Sequence, residues 1–175
     1  DFTFFVRQTY DIGKKDSIAI NDSTTEYLFY PKLRVQHSFT YSTYNYLYRD
    51  DLADSAIYRN WYDTAVKVGK DSFYVKEKWS VMSNDITLLQ FPDTKNSGQF
   101  ISAGVKFENI KGESVTGTRN LYNFIIHGEY RNKTRNKLWD VLAKGEFYVN
   151  GYNAGNYSAY ATIARHINNK LGDIR

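Results

Sequence analysis

Between Phe124 and Gly155 the chain alternates apolar and polar residues, breaks over a few polar ones, and alternates again. The apolar phase holds Phe124, Ile126, Gly128 and Tyr130, then Trp139, Val141, Ala143, Gly145, Phe147 and Val149. The polar phase holds His127, Glu129 and Arg131, then Asp140, Lys144 and Glu146. A period of two is the mark of a strand with unlike faces. Two kinds of sheet carry charges of both signs on one face and apolar groups on the other. A soluble sheet shows its charges to water, and a membrane barrel shows its apolar face to lipid.

The same pattern predicts about seven strands. The first runs from Phe2 to Ile12, with Phe2, Phe4, Val6, Tyr10 and Ile12 opposite Thr3, Arg7, Thr9 and Asp11. The second runs from Leu33 to Tyr48, with Leu33, Val35, Phe39 and Tyr41 opposite Arg34, Gln36, Ser38, Thr40 and Ser42. The third, from Tyr74 to Phe91, has the least regular alternation. The fourth runs from Phe100 to Ile110, with Ile101, Ala103, Val105 and Phe107 opposite Ser102, Lys106 and Glu108. The stretch described first supplies the fifth and sixth, and a seventh begins near Tyr157. "SAYATIARHINNKLG" is the best helix candidate and reads equally well as a strand.

Several of these runs alternate for ten residues or more. A tilted transmembrane strand needs ~9–11 residues, whereas strands of globular proteins average ~5–6. Aromatic residues stand near the strand ends: Phe2, Phe4 and Tyr10, Tyr130 and Trp139, Phe147 and Tyr157. Two interfacial girdles would place them so. "PDTKNSG" and "RNKTRN" read as short turns. "GKKDSIAINDSTTEY", "RDDLADSAIYRNWYDTAVKVGKD" and "KGESVTGTRN" read as longer loops, so short and long connections are expected to alternate, as in outer-membrane barrels. Asp16-Ser17-Ile18, Asp54-Ser55-Ala56 and Asp63-Thr64-Ala65 look like a short O-glycosylation signal in loops.

Composition narrows the classes. A chain of 175 residues predicts one domain, residues 1–175. No apolar run approaches the ~20 residues of a helical span. With 16 Tyr and 11 Phe against 2 Pro, the composition favours strands. There is no Cys, which removes disulfides and Cys-based metal sites. The net charge of +4 is scattered, with no basic block for nucleic acid. His37, His127 and His166 lack metal-ligand spacing, and no metal or cofactor is expected. "GESVTG" lacks the strand–elbow–helix context of a nucleophilic serine, and Asp50 and Asp51 sit in a solvated run. The chain is not expected to be an enzyme.

Four segments, "RQTYDIGKKDS", "LFYPKLRVQHSFTYSTYNY", "FPDTKNSGQFISAGV" and "HGEYRNKTRNKLWDVLAKGEFYVNGYNAG", occur in this order along the chain. Together they resemble the β-barrel porin family of the Bacteroidota. The resemblance covers nearly the whole chain. It implies an all-β, antiparallel up-and-down transmembrane barrel in the outer membrane. The function it implies is passive passage of small solutes or a structural part in an outer-membrane complex. Members of that family look several times longer. This chain opens without a signal peptide and ends in "NNKLGDIR" rather than an aromatic-terminated strand. It therefore reads as a partial barrel of about seven strands from a larger one.

On this reading the polar-phase residues Arg7, Asp11, Lys106, Glu108, His127, Glu129, Arg131, Asp140, Lys144 and Glu146 face the lumen. Rows of such charges set the electrostatic filter of a pore. Facing lipid, an Arg or Lys at the midplane would cost ~2–4 kcal/mol. Phe4, Tyr130, Trp139 and Phe147 are the expected lipid or interface anchors. The expected partners are outer-membrane lipid or lipopolysaccharide and other outer-membrane proteins, with no nucleic acid. The alternative is a soluble lipocalin-like barrel or sandwich that binds a ligand or glycan and buries its apolar face in a core.

Overall fold

The computed structural model describes residues 1–21, 24–51, 60, 73–114, 117–136, 138–168 and 172–174. It is a single antiparallel sheet in which each strand pairs with the next in sequence. The strands are β1 (Phe2–Asn21), β2 (Thr24–Asp50), β3 (Phe73–Gln90), β4 (Gln99–Ser114), β5 (Gly117–Lys133), β6 (Trp139–Gly151), β7 (Tyr157–Asn168) and the short β8 (Gly172–Ile174). This is the expected all-β meander. It has seven long strands and a three-residue eighth that the alternation did not predict. The sheet is open: β1 pairs only with β2, and β8 only with β7, among the described residues.

Register carries the alternation across the sheet. Val6 stands opposite Phe39, Val105 opposite Ile126, and Ile126 opposite Phe147. Most apolar residues of β1 to β7 thus share one face, and most polar ones the other. No second layer covers the apolar face among the described residues. Phe4 is 49% exposed, Ile86 51% and Ile163 60%. Only Phe91 and Ile125 are buried hydrophobics among the described residues. The polar face is the concave one, since a pocket of about 570 Å³ reaches over it from Phe5 on β1 to Lys144 on β6. A lipocalin-like barrel or a sandwich would turn the apolar face inward. Here it is turned out.

Two expectations need correction. "GKKDSIAINDSTTEY" is not a long loop: β1 and β2 continue as a paired hairpin through Asn21 and Thr24. "KGESVTGTRN" is likewise the strand ends of β4 and β5, paired out to Ser114 and Gly117. Short and long connections therefore do not alternate as expected. A ladder with neither face buried has no apolar period, so alternation cannot reveal it. The stretch that read equally well as helix or strand is β7, the expected seventh strand, held to β6 from Phe147–Tyr157 to Trp139–Arg165. Most of "RDDLADSAIYRNWYDTAVKVGKD", with the triplets at 54–56 and 63–65, lies outside the described residues. Asp16–Ser17–Ile18 lies within β1 rather than in a loop.

A bulge marks the point where β3 ends its pairing with β2 while β1 continues. Register shifts between Ile12 and Gly13, where β2 leaves Lys32 unmatched between Pro31 and Leu33. Proline, lacking an N–H, is tolerated at such a site. The freed Lys32 carbonyl accepts from the Phe91 amide at 2.9 Å. A Cβ on Gly13 would stand 2.1 Å from the Tyr30 carbonyl oxygen, so only glycine fits.

Candidate functional site

Three rows of side chains cross the concave face. Direct pairing aligns Asp11, Arg34, Leu89, Ser102, Glu129 and Lys144 in one row. The next row holds Thr9, Gln36, Thr87, Gly104, His127 and Glu146. The third holds Arg7, Ser38, Asp85, Lys106 and Ile125. Glu108 lies one row further along and Arg131 one row back, with Asp140 in the polar phase of β6. All ten charged candidates therefore share the concave face. Phe4, Tyr130, Trp139 and Phe147 lie in the opposite phase, each between 38% and 49% exposed.

Within this face the charges pair. Arg34 donates to Asp11 through two nitrogens, at 2.6 and 2.8 Å, the fork-on-carboxylate geometry that fixes both side chains. Lys106 Nζ is 3.1 Å from Glu108, and Arg131 is 3.6 Å from Asp140. His127 Nε2 lies 3.1 Å from Asp85, reaching from β5 to β3 across β4. The span is open because Gly104 stands between them: a Cβ there would come within 2.5 Å of the imidazole and 2.8 Å of Thr87 Oγ1. Thr87 Oγ1 donates to the same Asp85 carboxylate at 2.7 Å. Arg131 Nε is buried with no hydrogen-bond partner among the described residues.

Asn123 closes one end of the charged region. It is fully buried, donates to Glu108 at 3.2 Å and accepts from the Asn153 amide at 2.9 Å. This binds the 151–156 turn to the concave side. Gly151, with φ of 109°, permits that turn, and a Cβ there would meet the Tyr122 carbonyl oxygen at 2.0 Å. The alternation missed Asn123, Asp85 and Arg34 as site residues. Their signal was phase alone, since each continues the polar period of its strand.

The apolar face is interrupted once. Gln8, His37 and Asn84 occupy its phase in the middle of β1, β2 and β3, and His37 Nε2 lies 3.4 Å from Asn84 Oδ1. At the ends of this face Arg165 lies over the Trp139 ring at 5.1 Å, and Phe107 stacks on Tyr122 at 6.3 Å.

A protein-family model described as "Putative porin" matches residues 1–174. The chain belongs to this porin family. No curated protein and no solved structure is matched. At the family level the chain is a porin-like outer-membrane β-barrel protein, and its open meander is that of a partial barrel. The porin family suggests a channel or structural role rather than a catalytic one, and a place in the outer membrane.

Proposed function

We propose that this sheet is part of the wall of an outer-membrane β-barrel through which small polar solutes pass passively. The observation that supports it is the division of the sheet. Its concave face carries Arg7, Lys106, Arg131 and Lys144 among carboxylates, and its convex face is apolar and exposed. In lipid, every backbone group must be paired and every edge closed. The free edges of β1 and β7–β8 are therefore closed by further strands in the working barrel. Phe4, Tyr130, Trp139 and Phe147 then meet lipid or lipopolysaccharide, and the ten charged residues meet water.

One observation favours a second role, as a structural part of an outer-membrane complex. Amide and imidazole groups facing hydrocarbon are costly, and Gln8, His37 and Asn84 face outward near the middle of the apolar band. A partner protein seated there would supply their hydrogen bonds. The test of the main reading is conductance of the natively extracted protein in a planar bilayer. Discrete ion-conducting steps are expected. A protein that inserts but gives no steps supports the structural role and refutes the porin.

A further inference from the structure

The concave face is not uniform. Its charges gather on β4, β5 and β6, with Arg7, Asp11, Arg34 and Asp85 nearby. Along β2, from Gln36 to Tyr48, the inward positions carry no charge; the next, Asp50, ends the strand. Ser38, Thr40 and Ser42 come first, and then Tyr44, Tyr46 and Tyr48. These positions repeat every second residue, ~7 Å apart, so from Gln36 to Tyr48 they form a neutral track of about 40 Å. Hydropathy alternation would put Tyr44, Tyr46 and Tyr48 on either face. Register puts them inward, opposite Trp79, Glu77 and Val75.

The rings are presented rather than packed away: Tyr44 is 49% exposed, Tyr46 57% and Tyr48 43%. Trp79 extends the platform onto β3. Its ring lies across Gly112, where a Cβ would stand 2.4 Å from it, and its Nε1 donates to Glu77 at 3.3 Å. The hydroxyls below line the concave pocket together with Tyr44. A hydroxyl both donates and accepts and rotates to suit its partner. A row of them can follow a solute whose own hydroxyls change partners as it moves. An aromatic ring offers an apolar face for the C–H side of a sugar ring and a polar tip for its hydroxyls. The nearby charges are engaged with one another, Arg34 with Asp11 and His127 with Asp85, and Arg7 lies over the Phe5 ring at 5.1 Å. The track itself bears no charge, and Arg7, Asp85 and Glu77 border it with both signs.

We infer that β2 carries a binding track for neutral polyhydroxylated solutes of the linear oligosaccharide class, entered over Tyr48, Tyr46 and Tyr44. This rests on the porin reading above and names the solute class for it.

The experiment uses the natively extracted full-length protein in a planar bilayer, with maltohexaose as probe and a polyethylene glycol of equal size as control. Maltohexaose is expected to reduce the ionic current in a saturable way, at concentrations where the glycol has no such effect. Tyr46→Ala and Tyr44→Ala are expected to raise the half-blocking concentration roughly three- to tenfold, the worth of one aromatic contact. Thr40→Val, which keeps shape and removes one hydroxyl, is expected to raise it less. It serves as the second variant should the tyrosine variants fail to insert. Block by maltohexaose no stronger than by the glycol, in a conducting channel, overturns the track and leaves the porin reading standing. Block that neither Tyr46→Ala nor Thr40→Val weakens also overturns it. Absence of any conductance overturns both.

Discussion

Val105 offers the sharpest test of which solvent the apolar face meets. It is 40% exposed, outward-facing, and flanked in register by Ile86 and Ile126. It lies midway between Ile101 and Asn109 on β4. Four residues at ~3.3 Å, on a strand tilted ~40°, put each of those about 10 Å from it along the membrane normal. The apolar band of an outer-membrane barrel is ~25 Å tall, so Val105 sits near the midplane and Asn109 near a rim. An arginine at the midplane costs ~2–4 kcal/mol, and near the interface ~0–1 kcal/mol. Val105→Arg should therefore lower the stability of the folded barrel in lipid vesicles by about 2–4 kcal/mol, read from reversible guanidinium unfolding. Asn109→Arg should lower it by under about 1 kcal/mol. On a water-facing surface both changes would stay within about 0.5 kcal/mol. Equal, small effects at the two positions would refute the assignment of this face to lipid.

Other outcomes follow from the site. Gly104→Val forces the imidazole of His127 and the Thr87 hydroxyl aside. It should cost about 1–3 kcal/mol as an overpacked site, measured by the same unfolding. Asn123→Ala leaves the Asn153 amide without its acceptor and takes a hydrogen bond from Glu108. A loss of about 1–3 kcal/mol is expected, with faster hydrogen exchange confined to the 151–156 turn. Asp93, outside the apolar band, accepts from Arg135 at 2.6 Å and from the Lys95 amide at 3.1 Å, and the Arg135 bond holds its carboxyl below the usual carboxylate range. A depressed carboxyl stabilises the folded form above its ordinary pKa, and that contribution disappears as pH falls through the depressed value. Amides of Arg135 and Asn136 should exchange more slowly in the natural protein than in Asp93→Asn at neutral pH. The difference should vanish in strong acid, and a difference independent of pH would contradict the assignment.

Alternation revealed the strand centres because there one face is apolar and the other polar. Arg7, Lys106, His127 and Lys144 were legible as one set for that reason. Strand ends were not legible. Gly13–Asn21 and Lys111–Ser114 extend past the apolar band, where neither face is buried and the period carries no signal. The third strand read poorly because Asn84 occupies the apolar phase in the middle of β3, beside His37 of β2. Asp85 was overlooked with it. Tyr44, Tyr46 and Tyr48 were invisible for a different reason. A tyrosine suits both phases, and only the register with Trp79, Glu77 and Val75 assigns it a face. The closeness of His127 to Asp85 needed curvature and the missing side chain of Gly104, neither of which a one-dimensional pattern holds.

The central claim is that this sheet stands in a membrane as part of a closed barrel. Electrophoretic mobility of the protein, extracted natively in detergent from an outer-membrane fraction and compared boiled and unboiled, tests it most directly. A closed barrel is expected to resist unfolding by the detergent and to migrate faster unboiled than boiled. A protein recovered in the soluble fraction, with no shift on boiling, would contradict the account.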